Sequence, residues 1–321
     1  MSVQGSGLGE VLAQVLATAH RLAPQEIPAL IQDSAVRLGL SEARVFLADV
    51  QQLELVALPT PEQAQLVVQG VPVEPQSIAV DTSLAGRAYR TETVQTAVGA
   101  GPAGTVGWLP LVDGVERLGV LKVAAPTLDG LLLERCTALA SLTAMILVSK
   151  LHYSDVLAQA VRRRPMELQA ELLWAFVPPR TIGTPWVTSS AVLEPAYEVG
   201  GDAFDHSLAV PRLHLTLLDA MGHDVASGGC SAVALAACRF TRRAGGALTD
   251  IAEEIDRALA RWIPDRLLTC VIADIDTVTG RLDWINCGHL APLLIRDGRI
   301  VTGALDRPPH LPLGLGRPLL P

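Results

Sequence analysis

The stretch LHLTLLDAMGH, residues 213–223, decides how the second half of this chain is read. Leu213 to Leu218 is nearly continuous in apolar residues, the pattern of a strand buried on both faces. It ends on the carboxylate of Asp219, followed by Ala220, Met221, Gly222 and His223. A second acid stands in similar company upstream, where Asp202 follows Gly200 and Gly201 in the run that begins at Glu198. A carboxylate at the end of a buried strand, beside glycines that let backbone approach a ligand, suits a hard cation such as Mg2+ or Mn2+. Two such aspartates could hold a pair of metals about 4 Å apart and serve water attack on phosphorus. Asp beside Gly is also the ordinary make-up of a turn or a cap, so the residues alone leave both readings open.

Outward from that strand, the pattern alternates strands with two helices. Val187 to Leu193 reads as a strand. Ser231 to Arg243 reads as a helix closed by Gly245 and Gly246. Leu248, Ile251, Ile255, Leu259 and Trp262 fall at helical spacing on a second. Strands are expected over Leu267–Asp274, Arg281–Asn286 and Pro292–Ile295, with turns at 277–280 and at Asp297-Gly298. Upstream, residues 151–180 read as helix broken at Pro165 and ended by Pro178-Pro179, an inter-domain connector or a packed helix of the second domain.

The first half begins with two helices, over Leu8–Leu22 and then to about Leu38. Strands follow at Ala43–Ala48 and Leu53–Leu58, then a β-rich segment over 64–72 and a short helix over Ser83–Arg90. Strands at Thr105–Val112 and Leu118–Val123 flank Asp113-Gly114, and a helix from about Leu128 to Lys150 closes the unit. Helix, hairpin, short helix, hairpin, helix is an α+β order and not a βαβ array.

Composition agrees with two packed domains. The 321 residues are 50% hydrophobic and 18% charged, with only 4% aromatic, so Ala, Leu and Val must build the cores. A net charge of −8 argues against a nucleic-acid binder. Lys122 and Lys150 are the only lysines. Met1 to Glu10 lacks the pattern of an export signal, and the most apolar run, Ala138 to Val148, is short of the ~20 residues of a membrane span. Cys136, Cys230, Cys238, Cys270 and Cys287 contain no C-x-x-C and read as buried thiols in a reducing compartment. The expectation is a cytoplasmic protein with no membrane segment.

Four ordered runs then carry a resemblance: EVGGDAFD (198–205), LLDAMGHD (217–224), NCGHLAPLL (286–294) and LPLGL (311–315). With Leu168-Gln169, Leu172-Leu173 and Pro178-Pro179 upstream, they resemble the SpoIIE/RsbU-type metal-dependent serine/threonine protein phosphatases of the PPM class. The resemblance implies a β-sandwich flanked by helices and a two-metal Mn2+ or Mg2+ site. It implies Asp202, Asp219 and the Ala220 backbone carbonyl as ligands. Glu198, Gly201, Gly222 and His223 are candidates to stand near the metal or substrate, with a solvated turn residue the alternative for His223 and a plain loop charge the alternative for Glu198. Asn286 to His289 would shape a turn. The implied substrate is a phosphorylated anti-sigma-factor antagonist or similar phosphoprotein, in bacterial sigma-factor control. Later aspartates of the family pattern have no counterpart before Pro321, where only Asp306 follows Asp297. The expected domain is therefore C-terminally truncated, and a non-catalytic, partner-binding or ligand-sensing regulator is the alternative. The first half resembles a GAF domain through Ala43–Asp49, SLAGR (83–87) and Val120–Val123, which implies a small-molecule sensor or a dimerisation module. The expected layout is a GAF-like sensor over 8–150, a connector over 151–180, a phosphatase domain over 181–321, and a homodimer.

Overall fold

The alternating runs at 43–58 and 105–123 become one antiparallel sheet in the computed structural model, which describes residues 7–71, 73–99, 104–151 and 154–316. The chain divides into two units, Met1–Arg164 and Pro165–Pro321. In the first, β1 (Glu42–Ala48), β2 (Glu54–Ala57), β3 (Ser77–Ala79), β4 (Gln95–Val98), β5 (Thr105–Asp113) and β6 (Glu116–Ala125) pair in the order β3-β2-β1-β6-β5-β4. Side chains alternate across β1. Val45 and Leu47 join a core with Val11, Ile27, Ile31, Leu139 and Leu147 of helices α1 (Leu8–Ala19), α2 (Ile27–Arg37) and α5 (Gly130–Leu151). Phe46 points the other way, into a cluster with Leu55, Val120, Ala88 and Tyr89 under α4 (Leu84–Thr91).

Two expectations are corrected here. The β-rich segment at 64–72 is instead a helix, α3 (Pro61–Val68), with residue 72 outside the described residues. Thr60 and Gln63 exchange backbone-to-side-chain hydrogen bonds at 3.0 and 3.3 Å, a capping box with proline at the first helical position. That local start overrides the β preference of the valines. The apolar run near Ala138 is part of α5, whose 22 residues are long and apolar enough to cross a membrane by length and composition. Of its polar interruptions, Thr143 is buried and its hydroxyl donates to the Leu139 carbonyl at 2.7 Å, whereas Ser141 is exposed. The face carrying Leu139, Ala140 and Leu147 lies in the core of the first unit. The leader reading over Met1–Glu10 falls mostly outside the described residues.

Helix α4 is started by Ser83, whose hydroxyl accepts from the Gly86 N–H at 2.9 Å. A Cβ on Gly86 would stand 1.8 Å from the Val80 carbonyl oxygen. Gly86→Ala must therefore push α4 off the sheet, and we expect a loss of about 1–3 kcal/mol in urea unfolding. An unchanged midpoint would contradict this packing.

The 151–180 segment holds two short helices. In α6 (Asp155–Ala160), Leu157 packs in the first unit's core, while α7 (Leu168–Phe176) places Ala170 and Leu173 in the second's. Residues 152–153 lie outside the described residues. The second unit is built on a sheet of β9 (Asp202–Ala209), β10 (Arg212–Ala220), β11 (Leu268–Asp276) and β12 (Leu282–Cys287), ordered β12-β11-β10-β9 and antiparallel throughout. Helices α8 (Val225–Arg243) and α9 (Leu248–Trp262) join Leu218, Ala203, Cys270 and Ile272 in its core. Short hairpins β7–β8 (Thr181–Thr184, Val187–Ser190) and β13–β14 (Ile295–Arg296, Arg299–Ile300) complete it. Strand β10 is not buried on both faces as its composition suggested. His214, Thr216 and Leu218 are buried, whereas Leu217, on the opposite face, is 45% exposed. The apolar run answers to a strand that is central in its sheet but covered by helices on one side. All five cysteines are buried and free.

Candidate functional site

Asp202 is the first residue of β9 and Asp219 the penultimate residue of β10, and the register sets them opposite one another. The Ala220 N–H bonds the Gly201 carbonyl at 3.2 Å, so 201/220 is the hydrogen-bonded pair and 202/219 the neighbouring non-bonded one. Directly opposed side chains come closest at such a position, with Cα atoms about 4.5 Å apart. Two exposed carboxylates are thus forced together by strand register. Asp202 shows the strain: its carboxyl pKa is raised, first by partial desolvation and then by Asp219, against a lowering influence from His289.

The glycines around the pair are needed for close backbone approach. A Cβ on Gly201 would stand 2.3 Å from the Ala220 carbonyl oxygen, and one on Gly200 would stand 2.4 Å from the His223 Cα. Gly222 has φ +99°, a left-handed conformation that suits glycine. The result is a cleft of about 410 Å3 lined by Glu198, Gly201, Asp202, Asp219, Gly222 and His223 among others. The structure therefore brings together the residues singled out in the two glycine-rich runs. The Ala220 backbone lies beside them.

Three supports carried no sequence signal. Ser231 of α8 donates its hydroxyl to the Gly201 carbonyl. Arg266 donates to the Met221 carbonyl at 3.0 Å and pairs with Asp224 at 2.9 Å. Thr269, opposite Asp219 across β10 and β11, hydrogen-bonds His289 Nδ1 at 2.8 Å. Asp224 also caps α8, accepting from the Ser227 N–H at 2.8 Å. That bond, then Arg266, holds its carboxyl down at about 2 against a usual 3.8. A depressed folded pKa means stability present above the unfolded value and lost as pH falls through the folded one. Asp224→Ala should lower the melting temperature most above pH 3.8, with the deficit closing as pH falls through about 2. A deficit independent of pH in thermal scans would contradict the ionic contribution.

The donor chemistry fits a hard divalent cation. Two carboxylates stand in closest register, and Gly201 leaves open the space beside the Ala220 carbonyl that a side chain would fill. Among the described residues no group of three or more His, Cys, Asp or Glu gathers at one point, so water would complete the shell, as Mg2+ prefers.

Comparison with known proteins finds one family match and several structural likenesses. Residues 210–319 match the family model for stage II sporulation protein E, SpoIIE. No curated protein matches the chain in sequence. Among solved structures, it is similar to the GAF domain of an Acinetobacter phosphoenolpyruvate-protein phosphotransferase, at 12% identity over 46% of this chain and 96% of that one, with TM-score 0.36. It is also similar to a free methionine-R-sulfoxide reductase from Neisseria meningitidis, at 18% identity over 47% and 93%, with TM-score 0.36. A third similarity is to the RsbU and RsbW domains of a Mycobacterium tuberculosis protein, at 27% identity over 38% of this chain and 34% of that one, with TM-score 0.32. The second unit thus carries the SpoIIE family pattern over residues 210–319.

Proposed function

We propose that the second unit is a cation-dependent phosphatase acting on phosphoserine or phosphothreonine of a partner protein, with Asp202, Asp219 and the Ala220 carbonyl as the cation's protein ligands. One observation carries this reading: the register of β9 and β10 holds two like charges face to face at a cleft. Without a cation that arrangement opposes itself. The SpoIIE match, which includes Asp219, supports it.

Bound Mg2+ or Mn2+ would supply positive charge to the phosphoryl oxygens and acidify a water for in-line attack. The chain's own residues do the rest. Asp202 and Asp219 fix the cation's place because each is the end of a paired strand. Gly200, Gly201 and Gly222 keep the rim low, so a phosphorylated side chain can enter. His223 and Glu198, at that rim, face the incoming peptide. The proposed partner is a phosphorylated anti-sigma-factor antagonist or similar phosphoprotein in a bacterial cytoplasm. The first unit would sense a small molecule and dimerise, and residues 151–180 would connect it to the phosphatase.

The test is hydrolysis of a phosphoserine peptide with Mn2+, run beside Asp202→Ala and Asp219→Ala. Turnover that requires Mn2+ and disappears in both variants supports the reading. A folded wild-type chain that binds the phosphoprotein without turning it over would refute it in favour of a non-catalytic regulator.

A further inference from the structure

Beyond the acid pair, the same row of the sheet continues to a histidine that the cleft does not include. Asp202 of β9, Asp219 of β10 and Thr269 of β11 are consecutive cross-strand partners, so their side chains share one face. The Thr269 hydroxyl is bonded to His289 Nδ1 at 2.8 Å. His289 is therefore fixed to the end of the row that starts at the two acids.

The backbone that carries His289 is held unusually firmly for a loop. The side chain of Asn286, only 5% exposed, donates to the His289 carbonyl and accepts from the His289 N–H, both at 2.8 Å. Gly288, at φ +74°, packs so closely on Pro312 that a Cβ would stand 2.7 Å from its Cγ. A parallel bridge ties Gly288 to Cys270. A turn alone needs none of the imidazole contact. Asn286 closes the loop, and Thr269 then sets the ring.

Building on the phosphatase reading, we propose that His289 is a phosphate-binding residue of the acid-pair site, oriented by Thr269 and Asn286 and separate from the cation's ligands. With the Thr269 hydroxyl donating to Nδ1, the ring proton sits on Nε2, which becomes a donor for a phosphoryl oxygen. The cleft then bounds the phosphate on the β9 side of the row and His289 bounds it on the β11 side.

The experiment titrates the full chain calorimetrically, first with Mn2+ and then with inorganic phosphate in saturating Mg2+. It compares wild type, His289→Ala, His289→Gln, Thr269→Val and Asp202→Asn. The three His289 and Thr269 variants should keep Mn2+ affinity within about twofold, since neither residue is a ligand. His289→Ala should weaken phosphate about tenfold, the scale of a hydrogen bond to a charged group. His289→Gln, which keeps a donor, should recover part of that loss. In turnover the change should appear in KM more than in kcat. Phosphate affinity unchanged in folded His289→Ala overturns the proposal, and so does a loss of Mn2+ as large as that in Asp202→Asn. Should His289→Ala fail to fold, Thr269→Val carries the test: a phosphate loss of about threefold supports the proposal, and none overturns it. Asp202→Asn that retains Mn2+ binding refutes the cation-site reading alone, because the phosphate comparison of His289 is read without turnover.

Discussion

Asp219→Asn is expected to lower Mn2+-dependent phosphopeptide hydrolysis by at least about a hundredfold, the scale on which preorganised charge at a transition state acts. The same substitution should make the cation-free protein more stable. Asp202 carries a carboxyl whose pKa is raised in the fold, by desolvation and then by Asp219. A raised carboxyl pKa means that the charged form weighs against the fold. The penalty is present above the folded pKa and fades as pH falls towards the unfolded value. Asp219→Asn removes the like charge, so its advantage in melting temperature should be clear at neutral pH and shrink in acid. Adding Mn2+ should reverse the order, stabilising wild type by mass action and leaving the variant nearly unmoved. Thermal scans at both pH values, with and without Mn2+, check all three signs. A variant that is less stable than wild type without cation would show that the pair is a structural element and not a site held ready for charge.

The largest loss of stability is expected at Asp205, three residues after Asp202 on β9. Asp205 is 2% exposed and accepts from Arg239 at 3.0 and 2.7 Å and from Arg242 at 2.6 Å, both on α8. Arg239 also reaches the Phe176 carbonyl at 2.8 Å, tying α7 to the same group. Nearby, buried His214 bonds Asp274 through Nδ1 and Thr216 through Nε2, each at 2.8 Å. Burial keeps its pKa low, and Arg242 adds to that lowering. Asp205→Ala leaves the Arg239 and Arg242 guanidinium groups without their shared buried carboxylate. Removing one partner of a buried ion pair costs about 3–5 kcal/mol, and urea unfolding should show it. Asp205→Asn, which keeps acceptor oxygen but no charge, should fall between. A loss below about 1 kcal/mol would show that water replaces the carboxylate.

Much of this molecule was legible in its sequence because local free energies fix it. The apolar spacing of Leu248 to Trp262 gave α9, and Ser83 marked the start of α4. Asp113-Gly114 marked the turn where β5 ends and leads into β6. Asp202 and Asp219 stood out because glycine beside an acid at a strand end is a local pattern. The misreadings came where local signals competed. Valines at 67, 68 and 71 suggested a strand, while the Thr60–Gln63 cap started a helix. Strand β9 was given no element in the sequence reading, yet Asp202 to Ala209 pair along β10.

What the sequence determined by itself was the set of elements and the identity of two acids worth attention. What only the tertiary structure decided was their partnership. The register of β9 on β10 makes Asp202 face Asp219, the register of β10 on β11 adds Thr269, and a turn held by Asn286 brings His289 to it. Register is set by the burial of whole strand faces against α8 and α9, since a slip of one residue would turn every side chain to the wrong side. No residue at the site records that constraint locally, so the acid pair is a consequence of packing far from the acids themselves.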